Sequence, residues 1–143
     1  MSSKLIHPLR VRYAECDPQG VVFNSRYLEY FDVALTELWR EALGSYEDVM
    51  EELEVDLLVA EAGVRYRSPL RFDEEFEIHA VVSRLGTTST TIAIAIMRGD
   101  EQVAEGELRH VFVHRGTAAK TAIPERVRTA LSAYGEESPQ PIR

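Results

Sequence analysis

Cysteine is almost missing from this chain. Among 143 residues there is one, Cys16, which excludes an internal disulfide and a cysteine-built zinc cluster. No run approaches the roughly 20 apolar residues that a membrane-spanning helix needs. The opening residues, Met1 to Pro8, contain no apolar stretch of the signal-peptide kind. Basic residues are outnumbered: 16 Lys and Arg stand against 24 Asp and Glu, a net charge of −8. A field of that sign opposes nucleic acid and anionic membranes alike, so a phosphate-bearing ligand needs its own local cluster of arginines. Phosphate loops, dinucleotide fingerprints, serine elbows and internal repeats are absent as well. The expectation is a cytoplasmic protein with no cofactor, no metal and no nucleic-acid partner.

What is there reads as an ordinary globular protein, 45% hydrophobic and 28% charged. Its length suits one domain over residues 1–143, with 136–143 as a frayed tail. Leu5 to Tyr13 alternates imperfectly and is read as a strand. It runs into Asp17-Pro18-Gln19-Gly20, whose residue types suit a type I turn. Leu28, Phe31, Leu35, Leu38 and Ala42 then repeat at helical spacing, with Asn24 or Ser25 as N-cap and Gly44 as the stop. That predicts a helix of about 28 Å, its apolar stripe widened by Tyr27, Tyr30, Ala34 and Trp39. Ser45 to Leu53 predicts a short second helix.

From there the period becomes two. Leu58, Ala60, Ala62, Val64 and Tyr66 share one predicted strand face, Phe76, Ile78, Ala80 and Val82 the next. Ile92, Ile94 and Ile96 follow, and then Leu108, His110 and Phe112. The breaks fall at Ser68-Pro69, Leu85-Gly86 and Gly99-Asp100, the last a pair suited to a type II′ hairpin. Pro124 opens a short helix to Leu131. Strands joined this tightly are antiparallel, and their apolar face needs a cover that only the long helix is large enough to provide. The expected fold class is α+β, a curved antiparallel sheet wrapped around one long helix. The apolar helix and short sheet also predict an oligomer.

Few side chains offer chemistry. His110 and His114 lie about 13 Å apart along one strand, too far to share a metal. His7 and His79 lack carboxylates at ligand spacing, and Cys16 has no nearby histidine to activate it. Arg98-Gly99-Asp100 spells an adhesion tripeptide but reads better as a hairpin tip. Asp17 differs, because it sits just before a long helix. Free amides at a helix N-terminus stabilise an oxyanion, and an ionised carboxylate can attack a carbonyl or activate water. On these residues alone, Asp17 as a simple turn-capping residue stays open.

The segment Tyr13-Ala14-Glu15-Cys16-Asp17-Pro18-Gln19-Gly20-Val21-Val22-Phe23-Asn24-Ser25-Arg26-Tyr27-Leu28-Glu29-Tyr30-Phe31 resembles the signature of the hotdog-fold acyl-CoA thioesterases, in the 4-hydroxybenzoyl-CoA thioesterase branch. Tyr66 to Glu75 and Gly86 to Ser89 are similar to two later family turns, and the likeness spans roughly residues 5 to 115. The resemblance implies a hotdog fold and hydrolysis of an acyl-CoA or acyl-carrier-protein thioester. It implies Asp17 as the catalytic carboxylate, with the amides around Phe23, Asn24 and Ser25 polarising the carbonyl. It implies homodimers or homotetramers with sites between subunits. Tyr27 and Tyr30 would line the acyl pocket, and Arg65, Arg67, Arg71 and Arg84 are candidates for the CoA phosphates. Many relatives carry a histidine where Phe23-Asn24-Ser25 stands, which leans this chain toward Asp17 and amides alone. A non-catalytic module that binds acyl thioesters is the rival expectation.

Overall fold

In the computed structural model, which describes residues 3–135, a five-stranded antiparallel sheet carries three helices. The strands are β1 (Leu5–Arg10), β2 (Val55–Tyr66), β3 (Glu75–Leu85), β4 (Ser89–Arg98) and β5 (Glu101–His114), in the order β1-β3-β4-β5-β2. Helix α1 (Arg26–Leu43) follows β1 and α2 (Tyr46–Leu53) comes next, while α3 (Glu125–Ser132) closes the described chain. The tail expected at 136–143 lies outside the described residues.

Helix α1 packs against β1, β2, β3 and β4 and against the other two helices. Its buried residues are Tyr27, Tyr30, Phe31, Ala34, Leu35, Leu38 and Trp39, so the stripe is rotated from the one expected: Leu28 is exposed and Ala42 only half-buried. The aromatic residues set this rotation, because burying Tyr27, Tyr30 and Trp39 removes more apolar surface from water than burying Leu28 and Ala42. Gly44 ends the helix at φ 95°, its amide donating to the Arg40 carbonyl at 2.8 Å. Ser45 caps α2 by accepting from the Asp48 amide at 3.1 Å.

Two strands depart from expectation. β1 stops at Arg10, and Tyr13–Glu15 forms a single 3-10 turn, because the Glu15 carboxylate takes the Arg12 amide at 2.9 Å and curls the chain. In β2, register shifts between Val59 and Glu61, so Ala60 has no cross-strand partner. The bulge reverses the alternation. Ala62, Val64 and Tyr66 pair with the core-facing Leu108, Gly106 and Ala104, whereas Leu58 pairs with Val111 on the outer face. The Gly99-Asp100 hairpin has the expected form, with a positive φ (61°) at Gly99 and none at Asp100.

His110 lies on the core face of β5, 2% exposed, and its Nδ1 has no partner among the described residues. Burial holds its pKa below the ordinary 6.5. The folded protein therefore favours the neutral ring, and the unfolded chain binds the extra proton. This contribution to stability is complete above pH 6.5 and is lost as pH falls toward the folded value, by up to about 1.4 kcal/mol per unit. Urea titrations of His110→Leu should show a flatter decline in stability than wild type as pH falls below 6.5. Equal slopes would remove His110 from the pH dependence.

Candidate active site

Residues 15 to 23 fold back on themselves and carry Asp17 at the tip. The Phe23 amide donates to the Glu15 carbonyl at 2.9 Å, Cys16 bridges Val22, and the Asp17 amide donates to Val21 at 2.8 Å. Gly20, at φ 81°, closes the turn by donating to the Asp17 carbonyl at 2.9 Å. The carboxylate is oriented by its own turn: Oδ1 accepts from the Gln19 amide at 2.8 Å and from Val21 at 3.5 Å. Oδ2 accepts nothing among the described residues. Asp17 borders a cavity of about 430 Å³ with Tyr13, Ala14, Cys16, Pro18, Gly20 and Phe72. Tyr13 and Phe72 meet edge to face at 5.6 Å on its rim, both largely exposed.

The start of α1 opens elsewhere. The Phe23 amide is consumed by Glu15, so it is unavailable to a substrate carbonyl, contrary to expectation. Neither Asn24 nor Ser25 caps the helix with its side chain, and among the described residues their amides donate to no acceptor. Asn24 borders a second cavity, about 280 Å³, with Val22, Tyr27, Tyr66, Arg67, Ser68 and Pro69. The Tyr66 hydroxyl donates to the Asn24 carbonyl at 2.8 Å and fixes that wall. Within one chain, Asp17 and Asn24 thus border different cavities.

The wall between the cavities is the loop from Arg67 to Glu74. Val22 donates to Leu70 at 2.8 Å and Val21 bridges Arg71, which stitches this loop to the Asp17 segment. Arg98 holds it from behind, donating to the Pro69 carbonyl at 2.8 Å, Glu74 at 2.9 Å and Ser68 Oγ at 3.1 Å. The segment is the hairpin tip expected, and Arg98 at its base is half-buried and spent on this wall. No spacing rule marks such a residue, because its partners in the wall lie 24 to 30 positions away.

A buried carboxylate was also missed. Glu15 is 5% exposed, and its oxygens accept from the Arg12 amide and Nε at 2.9 Å, Arg12 Nη2 at 2.6 Å and the Tyr30 hydroxyl at 2.8 Å. Burial alone would raise its pKa, but those donors outweigh it and hold the carboxyl below the usual range. Tyr30 is buried with its hydroxyl turned to Glu15, so the structure does not bring it to either cavity described above. The Cys16 thiol is pushed up by burial and by the Glu15 and Asp17 charges, which disfavours the thiolate a nucleophile needs.

The thioesterase-like superfamily model matches residues 11–131, which covers the Asp17 turn, α1 and all the strands after it. The chain belongs to that family. Its sheet and helices are those of the hotdog α+β fold, and the acyl-CoA thioesterase signature is borne out. It is 28% identical over 121 residues to the acyl-CoA thioester hydrolase YbgC of Escherichia coli, covering 84% of this chain and 90% of that one. Acyl-CoA thioesterase YbgC of Haemophilus influenzae is 25% identical over 124 residues, 87% and 91% of the two chains. A solved structure from Thermus thermophilus superposes with a TM-score of 0.83 at 30% identity, covering 92% of this chain and 98% of that one.

The arginines of this thioesterase-like chain scatter. Arg67 borders the Asn24 cavity but is paired to Glu105, with Nε at 2.9 Å. Arg65 points to the outer sheet face, 3.2 Å from Glu107 and 3.6 Å from Glu105. Arg71, exposed beside Val21, donates its backbone amide to the Glu74 carboxylate at 2.7 Å, while its guanidinium pairs with no carboxylate among the described residues. Arg84 pairs with Thr91 at the far end of β3, about 30 Å along the strand from Glu75, and is not brought to the site. No group of three metal-ligating side chains occurs among the described residues, and no helix there is long and apolar enough to cross a membrane.

Proposed function

We propose that this protein hydrolyses acyl-CoA thioesters, or acyl groups on carrier protein, to free acid and thiol, with Asp17 as the reacting carboxylate. The observation that carries the reading is the state of that side chain. One oxygen is pinned by the Gln19 amide, the other is unpartnered, and both stand at a cavity large enough for an acyl group. Either oxygen chemistry serves: attack on the carbonyl carbon, or removal of a proton from an attacking water. Thiolate leaves readily, so the site needs no imidazole, and this chain has Asn24 in the segment where many relatives have a histidine.

The same reading assigns the Asn24 and Ser25 amides to the oxyanion, where the α1 dipole adds to their charge. That Asn24 and Asp17 border different cavities within one chain favours a shared site, with the carboxylate of one copy facing the amides of another. A homodimer or homotetramer, and a sheet curled around α1 as its central filling, belong to this reading. The exposed Leu58 and Val59 on the edge strand β2 are apolar surface that a second copy would cover. Tyr27 and Arg67, beside Asn24, would contact the substrate there, and Arg71 would meet a CoA phosphate.

Free-thiol release from butyryl-, palmitoyl- and benzoyl-CoA tests the proposal. Turnover of at least one is expected. Silence across all three, with acyl-CoA still bound in equilibrium dialysis, would favour the non-catalytic binding module.

A further inference from the structure

We infer that Glu15 is a positioning residue, whose buried carboxylate sets the Asp17 turn against helix α1; the inference rests on Asp17 doing the chemistry. Glu15 stands two residues before Asp17 and is clamped from both directions. Its backbone carbonyl takes the Phe23 amide at the base of the Asp17 hairpin. Its side chain takes the Tyr30 hydroxyl from the second turn of α1 at 2.8 Å, and the Arg12 amide and guanidinium from the preceding segment. One residue therefore ties together the strand entering the hairpin, the strand leaving it, and the helix whose first amides lie beside it.

The charge matters as well as the reach. A carboxylate this buried is tolerated because every donor around it is directed at its two oxygens. Glu15→Gln keeps the length but turns an NH2 group toward at least one of those donors. The hairpin then relaxes away from α1, and Asp17 moves with it. Tyr30→Phe keeps the ring packed against Phe76, 4.9 Å away, and removes only the tie to the helix.

The test measures kcat and KM for thiol release from whichever of butyryl-, palmitoyl- or benzoyl-CoA wild type turns over fastest, beside thermal melts. A displacement near 1 Å at a reacting group costs on the order of 100-fold. Glu15→Gln should lose roughly 10- to 100-fold in kcat with KM close to wild type. Tyr30→Phe should show a smaller fall in kcat, and the double variant should be no worse than Glu15→Gln alone. Should Glu15→Gln not fold, Tyr30→Phe carries the comparison by itself. Lower melting temperatures with kcat and KM both unmoved would make Glu15 a purely structural residue and overturn the inference. Full turnover by Asp17→Asn is a separate failure, since it removes the reading on which the positioning role rests.

Discussion

Gly106→Ala should destabilise this protein by about 3 kcal/mol, lowering the melting temperature by about 10 °C. At Gly106, β5 passes close to both β2 and α1. A methyl group built there would sit 2.0 Å from the Gly63 carbonyl oxygen and 2.9 Å from Phe31 Cε2. Phe31 is fully buried and Gly63 offers only backbone, so neither neighbour can swing aside. Relief requires β2 to separate from β5 at the Val64–Gly106 pair, and β2 carries Tyr66, which fixes the Asn24 wall. A melting temperature within about 2 °C of wild type would show that the two strands have slack this packing does not suggest.

Asp17→Asn should leave the fold alone and remove the rate. Asparagine keeps an oxygen at the Oδ1 position, so the bond from the Gln19 amide survives, and the Gly20 closure uses backbone only. What disappears is the charge and the second carboxylate oxygen, which is the unpartnered one. Loss of a group that moves a proton or attacks a carbonyl costs on the order of 10²–10⁴ in rate, about 2.7–5.5 kcal/mol of barrier. Turn stability is a far smaller matter: an exposed bond of this kind contributes about 1 kcal/mol, and it is retained.

The difference between those effects follows what could be read from the chain. Periodicity located α1, α2 and all five strands, β1 running three residues too far, because burial of a face leaves a repeat in the sequence. It misplaced Leu58, because a bulge at Ala60 inserts one residue into a run that is small and apolar on both sides. It misjudged the centre of the α1 stripe, where two tyrosines and a tryptophan compete with leucines for the core. The candidate carboxylate was legible from its turn and its neighbours. Its surroundings were not. Glu15 beside Arg12 looks like any exposed pair at i,i+3, and only the arrival of Tyr30 from fifteen residues away makes it buried. The spent Phe23 amide and the remote Arg84 are likewise matters of three-dimensional pairing, which residue spacing does not encode.

The most direct test of the account is thiol release by wild type and Asp17→Asn, side by side at equal folded concentration, with butyryl-, palmitoyl- and benzoyl-CoA. Wild type should turn over at least one of them, and the variant, its melting temperature unchanged, should be slower by roughly 100-fold or more. Equal rates from the two proteins would contradict it, and Asp17 would then be a residue of the turn and nothing more.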